Sequence, residues 1–272
     1  MQETKLNPNE EIVCGALVDY QVYYQSRQLS QGGGIALGID KQFESVFVRG
    51  GNDDLEVMSV VFYVNNLAVR VLVGYGPQEN DSKEKKDAFW NFLDTEVVEA
   101  ELEGQGLVIQ FDGNLHAGQD LIKNDPNPQN QNGRLFMQFL QRHSSVSVVN
   151  SWSSFEGLLT RKRVTKLRTE EAILDFFIVN DRLQNYVKRA FVDENKEYAL
   201  LNFSQQKKNN RVIASDHNAL VVEFAIKFSR KKSERLEMFN MKSKAGQAEF
   251  KNRTEVNVDL VNSFQNKNSV EE

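Results

Sequence analysis

The chain has 272 residues, 40% of them hydrophobic, which is enough apolar material to form the core of one large domain. Its net charge of −5 and its pI near 5.5 exclude a protein that coats nucleic acid through bulk positive charge. A single cysteine, Cys14, excludes an internal disulfide and a zinc site built from cysteines, and no apolar run is long enough to span a bilayer, so we expect an intracellular protein.

Short apolar runs that are separated by turn residues predict β-strands in the first half of the chain. One strand is expected at 35–39, after a run of glycines, and two more at 55–63 and 68–75. The last two flank Asn65-Asn66, and this arrangement predicts a β-hairpin. Apolar residues at helical spacing then predict a helix at 82–103, which ends at glycines.

The second half of the chain continues this mixture of strands and helices. A buried strand is expected at 107–111, and a second helix begins near Gly133. Further apolar runs predict strands at 146–149, 173–179, 198–203 and 219–228. Strands that alternate with helices and also form hairpins indicate an α/β sandwich of mixed sheets. We expect one domain over residues 1–228 and a polar tail or linker over residues 229–272.

A carboxylate and an amide lie at the end of the strand predicted at 107–111. Asp112 follows this strand directly, and Asn114 comes shortly after it. Mg²⁺ prefers oxygen ligands and typically binds one or two carboxylates together with a substrate phosphate. The pair therefore has the chemistry of a metal and phosphate site. An Asp-Gly sequence is also typical of a turn, and these residues alone favour the turn.

A second acid, Asp175, interrupts the apolar run at 173–179. A buried carboxylate without a partner is unfavourable, so Asp175 requires one. His217 is a good candidate, because it lies in Ser215-Asp216-His217-Asn218, immediately before another predicted strand. An aspartate that orients an imidazole is a common way to prepare a base or a phosphate-binding cation.

Basic residues cluster just before this second acid. Arg161, Lys162, Arg163, Lys166 and Arg168 occur in one short stretch that contains no acid. Such runs are most often solvated surface loops. Because the overall charge is negative, a contact with nucleic acid has to be local, and this cluster is the candidate for it.

Six short stretches in a fixed order give the chain a resemblance to a known family. They are MQETKL at 1–6, YGPQ at 75–78, DGN at 112–114, NGRL at 132–135, LDF at 174–176 and SDHN at 215–218. With these stretches the chain resembles the endonuclease/exonuclease/phosphatase superfamily and, within it, the apurinic-type endonuclease domain of non-LTR retrotransposon polyproteins. The resemblance implies a four-layered α/β sandwich, in which two mixed β-sheets are flanked by helices.

The resemblance also implies catalytic roles for five residues. Tyr75 would contact the scissile phosphate, and Asp112 and Asn114 would position the attacking water. His217, held by Asp175, would stabilise charge on the phosphoryl oxygens. The implied reaction is the in-line hydrolysis of a DNA phosphodiester.

The implied cofactor is Mg²⁺, with Mn²⁺ as an alternative. Glu3 and Asp216 match the metal ligands of the family. The expected DNA contacts are Arg161, Arg163 and Arg168, which belong to the basic cluster. DNA is therefore the expected partner, and no membrane association is expected.

Members of the family carry a strand that ends in an asparagine metal ligand, and then a helix, before the Gln-Glu-Thr segment. This chain begins at Met1, directly before that segment. We therefore expect an N-terminally truncated piece of a longer polyprotein that contains a reverse transcriptase and acts in the nucleus. Two alternatives stay open: a catalytically inactive remnant, and another phosphoesterase of the same fold that cleaves inositol phosphates or lipid phosphodiesters.

Overall fold

A six-stranded sheet lies at the centre of the part of the chain that the structure describes. That part comprises residues 18–25, 34–52, 54–165, 167–195 and 215–228 of a computed structural model. The segments at 1–6, 198–203 and 229–272, for which the sequence makes predictions, lie outside these ranges.

In the described ranges the strands are β1 (Tyr20–Gln25), β2 (Ile35–Asp40), β3 (Ser45–Gly50), β4 (Val57–Val64), β5 (Leu67–Tyr75), β6 (Gly106–Asp112), β7 (Val146–Val148), β8 (Phe155–Glu156), β9 (Arg161–Val164), β10 (Thr169–Ala172), β11 (Asp175–Asn180), β12 (Val187–Asp193) and β13 (Ala219–Phe224). The helices are α1 (Lys83–Leu102), α2 (Gln131–Arg142) and the short α3 (Asp181–Gln184), and Val149–Ser151 forms a 3-10 turn. None of these helices is long and apolar enough to cross a membrane.

The six-stranded sheet is mixed, as the sequence predicts. Its order is β3-β4-β5-β6-β11-β7, in which β5 and β6 are parallel and the other neighbours are antiparallel. A second sheet, β13-β12-β8, is also mixed, because β12 is antiparallel to β13 and parallel to β8. The pairs β1-β2 and β9-β10 form two further antiparallel sheets. The predicted α/β class with mixed sheets is confirmed.

Turn and cap residues set the limits of the predicted hairpin and helices. Strands β4 and β5 form the predicted hairpin, and Asn65 in its turn has a φ of 54°, a left-handed conformation that asparagine tolerates. Ser82 caps α1 by accepting a hydrogen bond from a backbone N–H of the first turn. Asn130 caps α2 through the N–H of Gly133, so this helix begins slightly earlier than its apolar spacing predicts.

Helices α1 and α2 pack against one face of the six-stranded sheet through aromatic side chains. Phe136 of α2 lies 5.6 Å from Phe111 of β6 and 5.0 Å from Phe176 of β11, measured between ring centroids. Trp90 of α1 stacks on Phe136 at 5.9 Å. On the opposite face, side chains of β12 and β13 pack against β5, β6 and β11. The four layers of the implied sandwich stay a prediction.

Several strands differ from those that the sequence predicts. The basic run at 161–168 is not a simple loop, because most of it forms β9 and the turn to β10, with cross-strand pairs such as Lys162–Glu171 at 2.8 Å. The strand predicted at 219–228 ends at Phe224, where its pairing with β12 also ends. Polar residues interrupt β1, β3 and β12, and for this reason apolar runs do not predict them.

Candidate active site

Tyr75, Asp112 and Asp175 lie side by side at one end of the six-stranded sheet. Tyr75 ends β5, Asp112 ends β6, and Asp175 begins β11. The register pairs Tyr75 with Asp112 and Asp112 with Asp175. A backbone hydrogen bond of 2.6 Å from the Gly76 N–H to the Asp112 carbonyl joins the first two strand ends. The sheet itself therefore assembles three of the residues that the sequence singles out.

The imidazole of His217 lies between the two carboxylates. Its Nδ1 is 2.9 Å from Asp175 Oδ2, which is a hydrogen bond, and its Nε2 is 3.9 Å from Asp112 Oδ2, which is too long for one. Both acids are almost inaccessible, since Asp112 is 3% and Asp175 is 6% exposed. The contact that the sequence predicts between Asp175 and His217 is present.

The neighbouring acids determine the charge of His217. Burial by itself would lower the pKa of this imidazole, but the hydrogen bond to Asp175 and the charges of Asp175, Asp112 and Asp216 raise the pKa to about 9. His217 is therefore an imidazolium at neutral pH, with a proton on each ring nitrogen. In this form it can donate to a phosphate oxygen, whereas it cannot accept a proton from water.

Asn114 is fixed beside Asp112 by the loops that follow β5 and β6. Its backbone has a φ of 45°, and its N–H donates to Asp112 Oδ1 at 3.1 Å. Its side-chain Nδ2 donates to the Gly76 carbonyl at 2.8 Å. The buried amide of Asn132 donates to the carbonyls of Asn114 and Pro77, at 3.3 and 2.8 Å. The two loops thus form one hydrogen-bonded unit at the edge of the site.

Asp216 lies at the rim of the site and pairs with a basic residue. Arg161 Nε donates to Asp216 Oδ2 at 3.0 Å, and the Lys162 N–H donates to the Asp216 carbonyl at 2.9 Å. Burial would raise the pKa of Asp216, but the hydrogen bond and charge of Arg161, together with the charge of His217, lower it. Arg161 therefore neutralises Asp216, which the resemblance predicts to be a metal ligand.

The hairpin β9-β10 is attached to this rim and is largely exposed. Arg168 Nη2 lies 2.6 Å from Glu170 Oε1, whereas the side chain of Arg163 is exposed to solvent. At the turn, Leu167 is 97% and Val164 is 72% exposed. The hairpin therefore presents cations and apolar side chains together, and the three arginines expected to contact DNA have different surroundings.

Comparisons of structure find similar proteins, whereas comparisons of sequence do not. No family model matches the chain, and neither does any curated protein. The endonuclease domain of TRAS1, a telomere-specific non-LTR retrotransposon, has a TM-score of 0.55 and 13% identity, over 76% of this chain and 81% of that domain. A 3′–5′ exonuclease (NExo) from Neisseria meningitidis has a TM-score of 0.56 and 17% identity, over 82% and 87% of the two chains.

An AP endonuclease from Archaeoglobus fulgidus has a TM-score of 0.55 and 15% identity, over 83% of this chain and 88% of that one. The chain has the endonuclease/exonuclease/phosphatase fold. This result confirms the α/β fold that the resemblance implies, without its number of layers.

Within the endonuclease/exonuclease/phosphatase fold, the described residues include a group that could hold a metal ion. Among them, Asp112, Asp175 and His217 place ligand atoms within 4.8 Å of one another. The carboxylate of Asp112 suits Mg²⁺, which prefers oxygen ligands, whereas the imidazolium of His217 repels a cation. Glu3 lies outside the described residues, and Asp216 is not part of this group. Their assignment to the metal stays a prediction.

Three buried polar residues near the site have contacts that the sequence did not reveal. Asn132 joins the loops after β5 and β6, while Asn150 and Thr160 bond the backbone near Asp175. Asn150 and Thr160 each follow apolar residues directly. Neither lies inside an apolar run as Asp175 does, because Ser151 and Arg161 follow them directly, so the sequence carries no comparable signal for them.

Proposed function

We propose that this chain hydrolyses phosphodiester bonds with Mg²⁺ as its cofactor and that it nicks DNA. The observation that carries the proposal is the position of His217 between the buried carboxylates of Asp112 and Asp175. Proteins with a similar structure include an endonuclease domain, an exonuclease and an AP endonuclease. Because the first of these belongs to a retrotransposon, we place this chain in a retroelement polyprotein with a reverse transcriptase, acting in the nucleus.

The gap between His217 Nε2 and Asp112 Oδ2 marks the reaction centre of the proposal. At 3.9 Å the two atoms do not hydrogen-bond each other, so a water beside Asp112 and a phosphoryl oxygen beside His217 can lie next to one another. Asp112, with Asn114, orients the attacking water. Asp112 accepts its proton as the water oxygen bonds to phosphorus; the bond from phosphorus to the leaving oxygen breaks, and that oxygen takes up a proton from solvent. His217 donates to a phosphoryl oxygen, Asp175 keeps the imidazole oriented, and Tyr75 contacts the phosphate.

In this proposal Mg²⁺, or Mn²⁺ in its place, would be held by Glu3 and Asp216. When bound, the ion neutralises part of the negative charge on the phosphoryl oxygens. Arg161 Nε donates to Asp216 Oδ2, so the metal and the arginine would share this carboxylate. Arg161 then stays at the rim of the site, where it can contact the next phosphate of the DNA strand.

The exposed hairpin β9-β10 is the proposed DNA-binding element. Arg161, Arg163 and Arg168 bind backbone phosphates, a local contact that a chain of net charge −5 requires. Leu167 is 97% exposed at the turn, next to these cations. Apolar side chains in such positions can enter a groove or contact base edges. The hairpin would thus hold the duplex while its attached rim presents a phosphate to His217.

A plasmid-nicking assay with Mg²⁺ tests the proposal. The parent chain should convert supercoiled plasmid to open circles, and Asp112→Ala and His217→Ala should each lower the rate about 100-fold or more. His143→Ala is the matched control, because His143 also contacts an acid, Asp94, at 2.7 Å but lies at the far end of α2. It should nick at the parental rate.

The proposal fails if the parent chain does not nick DNA with Mg²⁺ or Mn²⁺, or if His217→Ala is as active as the parent. Hydrolysis of inositol phosphates without DNA cleavage would identify a different phosphoesterase of this fold. The retroelement origin is tested separately, by reading the coding DNA on both sides of the chain for in-frame reverse-transcriptase codons.

A further inference from the structure

Within the described ranges, no strand pairs with β11 on one side at the position of Asp175. Within the described residues, β7 pairs with β11 only between Ile178 and Asn180. The register with β6 directs the N–H and C=O of Asp175 away from β6, toward this open side. Buried backbone groups without partners are unfavourable, so other groups have to replace the absent strand.

The side chain of Thr160 occupies part of this open side. Thr160 is fully buried, and its Oγ1 accepts hydrogen bonds from the N–H groups of Leu174 and Asp175, at 2.8 and 3.0 Å. Its carbonyl accepts the N–H of Asn218 at 2.7 Å. Since Asn218 follows His217, Thr160 bonds to the backbone on both sides of the contact between Asp175 and His217.

The side-chain amide of Asn150 bonds further backbone groups on the same open side of β11. Its Nδ2 donates to the Asp175 carbonyl at 3.1 Å, and its Oδ1 accepts the Phe177 N–H at 2.9 Å. A neighbouring strand would make the same pair of bonds. Asn150 is only 5% exposed, so these bonds are shielded from water. Thr160 and Asn150 together therefore fix the backbone that carries the Asp175 carboxylate.

We propose that Thr160 and Asn150 are positioning residues that set the contact between Asp175 and His217. The inference rests on the proposed function, in which His217 has to donate to a phosphoryl oxygen. The hydrogen bond from His217 Nδ1 to Asp175 Oδ2 is 2.9 Å long, and a displacement of about 1 Å would break it. Misplacement of this size can lower a rate by about 100-fold even when its cause is far from the chemistry.

Matched substitutions separate positioning from general stabilisation. Thr160→Val keeps the shape of the side chain and removes the acceptor, whereas Thr160→Ser keeps the hydroxyl. Asn150→Ala removes the bridge to β11, and Asn180→Ala is its matched control. Asn180 is buried at the opposite end of β11, where it accepts the Leu107 N–H at 2.9 Å and donates to the Gln105 carbonyl at 3.0 Å. The two asparagine variants therefore lose the same number of backbone contacts.

Each full-length variant is measured by thermal unfolding, by plasmid nicking with Mg²⁺ and by proton NMR of the His217 Nδ1–H in metal-free protein. The chain has three histidines, so the spectrum of His217→Ala assigns the resonance. Thr160→Val and Asn150→Ala should lower kcat about 10- to 100-fold, with KM unchanged within about twofold, and should shift or abolish the resonance. Thr160→Ser and Asn180→Ala should keep the parental kcat and resonance.

The inference is overturned if Thr160→Val and Asn150→Ala keep the parental kcat and resonance, or if Asn180→Ala alters both as strongly. Should Thr160→Val not fold, the comparison of Asn150→Ala with Asn180→Ala decides. If the parent does not nick DNA, the proposed function fails, and the His217 resonance alone decides whether the two residues position the pair.

Discussion

Replacing Asp175 by asparagine should change the titration of His217 while leaving the side chain almost the same in shape. The pKa of His217 is raised from 6.5 to about 9 against the effect of burial, and Asp175 is the first of the groups that raise it. This rise corresponds to about 3 kcal/mol in favour of the imidazolium. An opposite charge at this distance shifts a pKa by about 1 to 3 units, so Asp175→Asn should lower the pKa of His217 by more than about 1 unit.

The stability of the metal-free protein should follow the same titration. Because the pKa is higher in the folded state, the contribution of His217 to the free energy of unfolding is fully present below pH 6.5. It declines as the pH rises from 6.5 to about 9 and is lost above that value. In Asp175→Asn this alkaline decline should become smaller and move to lower pH.

NMR titration of the histidine ring protons, together with urea unfolding at several pH values, measures both effects. Asp94→Asn is the matched control, because Asp94 contacts a different histidine, His143, at 2.7 Å. It should leave the His217 titration unchanged. A His217 pKa near 6.5 in the parent protein would refute the reasoning, as would a pKa that stays at about 9 in Asp175→Asn.

Arg163→Ala should weaken DNA binding and reduce the slope of log K against log salt by about 1, which anisotropy titrations at several salt concentrations measure; an unchanged slope would exclude the phosphate contact. Leu167→Ala should weaken DNA binding and change the free energy of unfolding by less than about 0.5 kcal/mol, since the side chain is 97% exposed; unaltered affinity would remove Leu167 from the interface. Phe136→Ala should lower the free energy of unfolding by about 3 to 5 kcal/mol in urea titrations, because this ring is fully buried among other aromatic rings. In Gly133→Ala the new Cβ would meet the carbonyl oxygen of His116 at 1.9 Å, so the start of α2 has to move. We expect the free energy of unfolding to fall by about 1 kcal/mol or more. A melting temperature equal to that of the parent would contradict this close contact between α2 and His116.

The parts of the fold that the sequence predicts are those in which local pattern and tertiary environment agree. The hairpin around Asn65 and the two long helices are examples, because their apolar spacing faces the core in which they pack. Strand β9 shows the opposite case. Lys162 pairs with Glu171 across the hairpin and Arg161 lies 3.9 Å from Glu170, so a charged run forms a strand without an apolar pattern.

The candidate site was predictable where a polar residue lies in an apolar run. Asp175 in an apolar run requires a partner, and this requirement identifies His217. The partner of Asp216 was not predictable in this way, because Arg161 is 55 positions away and both residues suit an exposed rim. The contacts of Thr160 were also not predictable, since its hydroxyl bonds the backbone of β11 where β7 does not reach, and the sequence does not show where that pairing ends.

The alignment of Tyr75, Asp112 and Asp175 across three adjacent strands makes the site sensitive to chain length as well as to side-chain identity. Successive residues of a strand face opposite sides, so a one-residue deletion within β6 would exchange the directions of Phe111 and Asp112. The deletion would place the carboxylate of Asp112 among the aromatic rings that pack against the sheet, and the ring of Phe111 in the site. Point substitutions at Asp112 can therefore separate activity from folding, whereas insertions and deletions in β6 will remove both together.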